Sequence, residues 1–425
     1  VQFGIGEYTW EISDDAMVTD HRVLVIGMRA AETYQIKAIS TNDSGTGEAT
    51  TEFETGALPS EIPVGEIVTY DAELAQPGWT LMNVQQGQGD YRARSDLPPM
   101  AVIYDEEGYP VWYVVSGNSP DIGGAISTEL TDVGVLVGPQ MVGGAAPVEY
   151  DFAGNVTWQC SDVRCGGNAD LSHHAGKTSD GNFVVNRDVN NGGVTMPVFD
   201  EFQPPDNNVA WSLDLASLLP PPSGASGDWC HGNSITINKE ADEAYVSCRF
   251  LGVIKTTYSN PQLVWHLPAS YGAQGMGDFT FDPPESQFSD IHDPEIHDDG
   301  TVMVFDNGGW DGVVTSYNPT GLSSRVVEYS LDVGAGVATR VWEFPGDFEV
   351  DDYYRTQWYM PFWGDADRLP NRNVLMINGV KGPDLRSRVF EATDDGQVVW
   401  AMDLPLDYGV YRADRIDPPL LTRVQ

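Results

Sequence analysis

The sequence predicts an all-β protein, a six-bladed β-propeller preceded by a small N-terminal β-sandwich resembling a fibronectin type III domain. Composition is the first ground: 425 residues with 45 Gly, 28 Pro and 11% aromatics suit many short strands and turns, and no amphipathic helical period of any length stands out. The second is a strand ending in tryptophan that recurs six times, in "YPVWYVV" (Trp112), "GNVTWQC" (Trp158), "NVAWSLDL" (Trp211), "PQLVWHLP" (Trp265), "ATRVWEFP" (Trp342) and "GQVVWAMDL" (Trp400). The third lies between them, where turn-plus-strand units such as "SDGNFVVN", "DDGTVMVFDNG" and "LPNRNVLMING" give a period of roughly 50 residues, the range of radial β repetition. One small twisted sheet cannot cover both of its faces, but sheets stacked around an axis cover one another.

In chain order, residues 1–62 form the sandwich. "HRVLVIGMRAAETYQIKAIS" alternates apolar and polar residues, a Gly/Ser turn follows, and "ALPSEIP" reads as the linker. Residues 63–425 form the propeller. Within it, "DWCHGNSITINKEADEAYVSCRF" (228–250) predicts two antiparallel strands around the turn "NKEAD", and pairing outward from that turn brings His231, Asn233 and Arg249 to one end. A propeller gathers the starts of its inner strands at one axial mouth, however far apart they lie in sequence.

The histidines follow this pattern. "LSHHAGKTSDGNF" carries His173 and His174, "DWCHGNS" carries His231, and "SDIHDPEIHDDG" carries His292 and His297, each just before a hairpin. In the next repeat Trp363 and Asp365 hold the corresponding place. A single histidine is most often a hydrogen-bonded structural residue, and His21 and His266 are read so; a shared position in three repeats argues for a common mouth. Imidazoles beside Arg249 and Asn233 make a cluster of donors suited to an anion with several oxygens, since arginine offers a planar fork and the others directed N–H groups.

The formal net charge is −41, and the lysines are only Lys37, Lys177, Lys239, Lys255 and Lys381. Nucleic acid and anionic membrane are therefore poor partners. No apolar run is long enough to span a membrane. Four cysteines predict two local disulfides, Cys160 with Cys165 around "CSDVRC" and Cys230 with Cys248 on neighbouring strands, which favours an oxidising compartment over a thiolate metal site. The chain begins at Val1, and the expectation is a periplasmic or extracellular protein whose leader is absent from this chain.

Together, "DWCHGNSITI…SCR", "IHDPEIHDDGTVMVFDNG", "SSRVVEYSLD", "GDADRLPNRNVLMINGV" and "YRADRI" resemble the bacterial arylsulfotransferase family, whose members work without a nucleotide sulfate donor. The resemblance implies a secreted six-bladed propeller with a small N-terminal β domain. It also implies transfer of a sulfuryl group from a phenolic sulfate ester to a phenol by way of a sulfated histidine, with no cofactor. By motif match the nucleophile falls on His292, with His231, Asn233 and Arg249 beside it. The earlier family histidine falls on His174, with His173 as the adjacent alternative. Ala175 and the Ser289–Asp290–Ile291 stretch depart from the family pattern. On this reading His231 shuttles the proton, Arg249, Asn233 and His174 stabilise the sulfuryl oxygens, and Asp293 fixes the tautomer of His292 or raises its basicity. Trp358, Tyr359 and Trp363 in "DDYYRTQWYMPFW" either offer an aromatic wall for the phenol ring or pack the propeller core.

Two rival readings stand beside it. His174, His231 and His292 could ligate one divalent metal in a propeller lyase, hydrolase or isomerase. Alternatively the propeller only binds, with structural calcium held by the carboxylates of "DIHDPEIHDDG", although these lack the regular calcium-loop order.

Overall fold

The computed structural model describes residues 1–86, 100–115, 127–138, 146–165, 170–270, 276–309, 323–361, 363–379, 386–406 and 408–424. The chain is all-β. Among the described residues only two short helices, Leu215–Leu218 and Asp352–Thr356, and one 3-10 turn, Pro284–Ser286, interrupt the strands.

Six antiparallel sheets follow one another along the chain. The first pairs Trp79–Gln86 with Met100–Tyr104, then Pro110–Val115, and takes Ala413–Ile416 from the end of the chain along the free edge of Trp79–Gln86. The second runs from Thr128–Leu130 to Val156–Gln159, the third from Leu171–Lys177 to Asn208–Asp214, and the fourth from Gly232–Asn238 to Leu263–Pro268. The fifth spans Ile291–Ile296 to Val337–Phe344, with Thr280–Asp282 added in parallel. The sixth spans Ala366–Arg368 to Val398–Asp403 and takes Glu66–Tyr70 as an extra strand from the beginning of the chain. Both ends of the repeat region are thus tied by main-chain hydrogen bonds to sheets far away in sequence.

The leading strands touch in circular order. Thr128–Leu130 contacts Leu171–Lys177, which contacts Gly232–Asn238, then Ile291–Ile296, then Ala366–Arg368; Val374–Asn378 meets Ala413–Ile416, which returns to Thr128–Leu130. The recurrent tryptophans join the outer strands in the same sense. The Trp112 indole donates to the Phe152 carbonyl at 3.1 Å, Trp158 to Asn207 Oδ1 at 2.6 Å and Trp211 to the Tyr258 carbonyl at 2.7 Å. Trp342 donates to the Asp394 carbonyl at 2.9 Å and Trp400 to the Glu106 carbonyl at 3.4 Å, which leads from the sixth sheet back to the first. Trp265 instead meets Phe279 edge-on, with ring centroids 5.7 Å apart. The tryptophan repeat is therefore a set of ties between neighbouring sheets, five of which satisfy an indole N–H.

Residues 1–62 depart from expectation. They form one sheet, not two facing ones: Gln2–Gly4, Trp10–Glu11, Thr33–Asn42 and Gly45–Glu54, joined by Thr422–Arg423 from the end of the chain. Its apolar residues Phe3, Ile12 and Tyr34 pack against Trp79, Leu81, Trp112 and Ile416 of the first sheet. That neighbouring sheet supplies the cover that a second sandwich layer would have given.

Candidate active site

The hairpin expected around residues 228–250 is present, with Gly232–Asn238 paired to Glu243–Cys248. The three histidine-bearing strands share a further feature: each is bulged at the corresponding point. Register breaks between Leu171 and Ala175, between Gly232 and Ser234, and between His292 and Glu295. A bulge sets two residues opposite one and re-aims the side chains. His173, His174, Asn233, His292 and Asp293 all sit at these breaks. His231 (φ 55), Asp293 (φ 38) and Trp363 (φ 66) occupy the left-handed region, which is costly for residues with a Cβ and persists where the surroundings over-determine it.

His231 illustrates that over-determination. Asp228 accepts from its backbone N–H at 3.0 Å and lies 2.5 Å from its Nδ1. Cys230 and Cys248 are joined in a disulfide, with Cα atoms 5.0 Å apart, and the Arg249 N–H donates to the His231 carbonyl at 2.9 Å. The Ile291 N–H donates in turn to the Arg249 carbonyl at 3.1 Å. A main-chain ladder therefore runs from His231 through Arg249 to the residue preceding His292.

Three imidazoles and a phenol converge above this ladder. The His173 ring lies 4.7 Å from that of His231 and 5.9 Å from that of His292, and Tyr411 lies 6.0 and 6.1 Å from His173 and His292. His292 is fully buried, its Nδ1 is 2.8 Å from Asn307 Oδ1, and its Nε2 has no hydrogen-bond partner among the described residues. Burial, reinforced by the charge of Arg249, holds His292 well below the ordinary imidazole value, and burial does the same for His173 beside the other two rings. Both rings are accordingly neutral near pH 7. The His231 side chain is 20% exposed.

The other sequence candidates take varied places. Arg249 is buried, donates from Nε to Asp290 Oδ2 at 3.0 Å and bonds the Pro361 carbonyl. Asn233 is fully buried and braces the next strand, donating from Nδ2 to the Ile291 carbonyl at 2.7 Å. His174 turns away from the three rings: its Nδ1 is 3.3 Å from an Arg412 nitrogen, and its Nε2 lies 2.9 Å from where a Cβ of residue 176 would stand, room that Gly176 leaves open. It borders a cavity of about 350 Å³ shared with Glu129, Lys177, Glu295, Asp367 and Arg412. The histidine that groups with His231 and His292 is thus His173. Asp293 does not bond His292 but pairs with Arg412 at 3.0 Å; the partner of the His292 ring is Asn307.

The three residues of the aromatic wall take different places. Trp358 is fully buried among Phe305, Phe344 and Phe390, with its indole donating to the Ile377 carbonyl. Tyr359 donates to the Gly309 carbonyl at 3.0 Å, and Trp363 adjoins the cluster, 5.9 Å from the Tyr411 ring. His266 and His21 have structural partners, the Leu251 carbonyl and Asp14. Among the described residues no group of three or more His, Cys, Asp or Glu side chains is arranged to hold a metal ion, and His174 of the metal set faces a guanidinium.

Asn307, Tyr411, Arg412, Asp228 and Asp290 join the site without a role that the sequence pattern alone assigns. The first three lie in quoted motifs, "FDNG" and "YRADRI", and Asp228 stands three residues before His231, a spacing at which an Asp can bond both the backbone and the ring.

Comparison with known proteins places the chain among relatives. The arylsulfate sulfotransferase AssT of Escherichia coli O6:H1 is 27% identical over 172 residues, 36% of this chain and 28% of that protein. AssT of Lelliottia amnigena is 24% identical over 166 residues, 34% of this chain and 28% of that protein. The matched stretch thus spans little more than a quarter of those relatives' length. The family model for arylsulfotransferase (ASST) matches residues 66–412, most of the chain and all of the histidine cluster. The chain belongs to the arylsulfotransferase family.

Proposed function

We propose that the chain is a six-bladed propeller enzyme, residues 63–425, that moves a sulfuryl group from a phenolic sulfate ester to a phenol through a sulfated His292. The circular contacts of the leading strands and the indole ties support the propeller. The observation that carries the chemistry is the His292 ring: fully buried, tied at Nδ1 and unpartnered at Nε2 among the described residues, beside Arg249 and two further imidazoles. An imidazole must be unprotonated to attack sulfur, and this one is held neutral.

In the first half-reaction the Nε2 lone pair forms a bond to sulfur, and the S–O bond to the phenol breaks with its electron pair on oxygen. In the second, an acceptor phenol attacks the sulfur and the pair returns to Nε2. His231, the partly exposed ring, protonates the leaving oxygen in one direction and takes the acceptor's proton in the other. Arg249 and His173 face the sulfuryl oxygens, where a single well-aimed donor contributes roughly 3 kcal/mol to the transition state. Short-range donors must supply this binding, because a molecule of net charge −41 repels anionic substrates at long range. The two disulfides support function in an oxidising compartment, the periplasm or the exterior.

Turnover of 4-nitrophenyl sulfate with and without added phenol tests the reading. Stimulation by phenol, abolished in His292→Ala, is the predicted outcome. Release that ignores the acceptor would make the chain a hydrolase, and full transfer by His292→Ala would remove the nucleophile.

A further inference from the structure

We infer that Asn307 is a positioning residue that fixes the Nδ1–H tautomer of His292 and, because it is an amide and not a carboxylate, keeps the sulfated ring cationic and ready to discharge. The second half of this inference rests on the sulfated histidine proposed above; the first half does not.

The tautomer follows from hydrogen-bond accounting. The Asn307 Nδ2 lies 2.7 Å from the Met360 carbonyl and 2.6 Å from the Trp363 carbonyl. Both are acceptors only, so the NH₂ group must face them and the amide orientation is fixed. Oδ1 is then left 2.8 Å from His292 Nδ1, and an amide oxygen can only accept. Nδ1 therefore carries the proton, and in a neutral ring the lone pair belongs to Nε2, the atom without a partner among the described residues. The backbone holds Asn307 as firmly: its N–H donates to the Asp290 carbonyl at 2.9 Å, its carbonyl accepts from Ser324 Oγ at 3.1 Å, and the side chain is fully buried.

The consequence concerns the leaving group. When Nε2 bonds to sulfur, Nδ1 keeps its proton, so the ring gains one positive charge beside the negative sulfuryl group. Discharge to a phenol then breaks the N–S bond and releases neutral imidazole. A carboxylate at position 307 would also hold Nδ1–H, but it is basic enough to draw that proton from the cationic ring. The neutral sulfated imidazole left behind could depart only as imidazolate, a far poorer leaving group. The amide holds Nδ1–H without a carboxylate's basicity, and its NH₂ group fixes the orientation in a way a carboxylate could not.

The tautomer is read directly by NMR of the wild-type enzyme with ¹⁵N-labelled histidine at pH 7. His292 protonated at Nδ1 is expected, and protonation at Nε2 would overturn the assignment whatever the enzyme's substrate. The charge argument is read in Asn307→Asp by rapid quench with 4-nitrophenyl sulfate, followed by a phenol chase. The nitrophenolate burst should persist, slowed by the loss of the bonds to the Met360 and Trp363 carbonyls, while discharge of the sulfated enzyme should slow by about 10- to 100-fold more than the burst does. Equal discharge in the two enzymes would refute the leaving-group role. A wild-type enzyme that turns over without ever carrying a sulfuryl group on His292 would refute the parent mechanism instead and leave the NMR result standing.

Discussion

The two disulfides should contribute unequally to stability, and only one of them to catalysis. In the chain-entropy picture a crosslink stabilises by restricting the unfolded chain, more so for longer loops. With a sequence separation of 18, Cys230–Cys248 contributes about 3 kcal/mol, and with a separation of 5, Cys160–Cys165 contributes about 2 kcal/mol. The sharper contrast is positional. Cys230 precedes His231 and Cys248 precedes Arg249, so this bridge fastens together the two strands from which those side chains project. Cys160–Cys165 packs beside Trp158 and Phe183, apart from the three rings. The double variants Cys230→Ala/Cys248→Ala and Cys160→Ala/Cys165→Ala should be compared by urea unfolding and, below the transition, by phenol-stimulated 4-nitrophenyl sulfate turnover. Losing the first bridge should lower kcat by about 10- to 100-fold, the usual cost of loosening a reacting constellation, while losing the second should leave kcat unchanged. Full activity without Cys230–Cys248 would refute the idea that the bridge aligns the site.

Three further outcomes follow from the charges. Arg412 faces Asp293 and stands among Asp365, Asp367 and Asp414, which burial raises, Asp414 to about 7. Arg412→Met should cost about 3–5 kcal/mol at pH 8 and less at pH 5, where Asp414 is protonated; an equal cost at both pH values in urea titrations would contradict this. His297 lies 2.9 Å from Glu295 and 3.0 Å from Glu328, and although burial opposes its charge, these bonds raise it to about 9. Its folded-state value exceeds the unfolded one, so its stabilisation is fully present below about pH 6.5 and is lost as pH rises through 9. His297→Gln should therefore cost about 1–2 kcal/mol at pH 6, after allowance for solvent screening, and almost nothing at pH 10. Finally, burial and Arg249 depress His292, so the acid limb of kcat/KM should lie below about pH 6.5 and move up in Arg249→Met; an unmoved limb would detach Arg249 from the nucleophile.

How much of this was legible in the sequence depended on whether a feature repeats. Six tryptophan strands announced six sheets because five of the six indoles perform the same tie to the next sheet, and periodic tasks leave periodic traces. Histidines recurring before successive hairpins announced a cluster for the same reason. The choice between His173 and His174 was not legible, because strand alternation puts adjacent residues on opposite faces and the bulge between Leu171 and Ala175 resets which face is which. Asp293, next to His292 in sequence, was the natural partner for its ring, yet φ 38 turns its carboxylate toward Arg412, while Asn307 arrives from the paired strand's end. The N-terminal sheet lacks its second layer because the layer is the first sheet, a contact between distant segments that no local pattern encodes.

The central claim is that Nε2 of His292 accepts the sulfuryl group. Intact-protein and peptide mass spectrometry of the enzyme quenched within one turnover of 4-nitrophenyl sulfate tests it most directly. One SO₃ increment on the peptide bearing His292, discharged by added phenol and absent from His292→Ala, is the predicted result. Unmodified His292 in an enzyme that is transferring sulfuryl groups would contradict it.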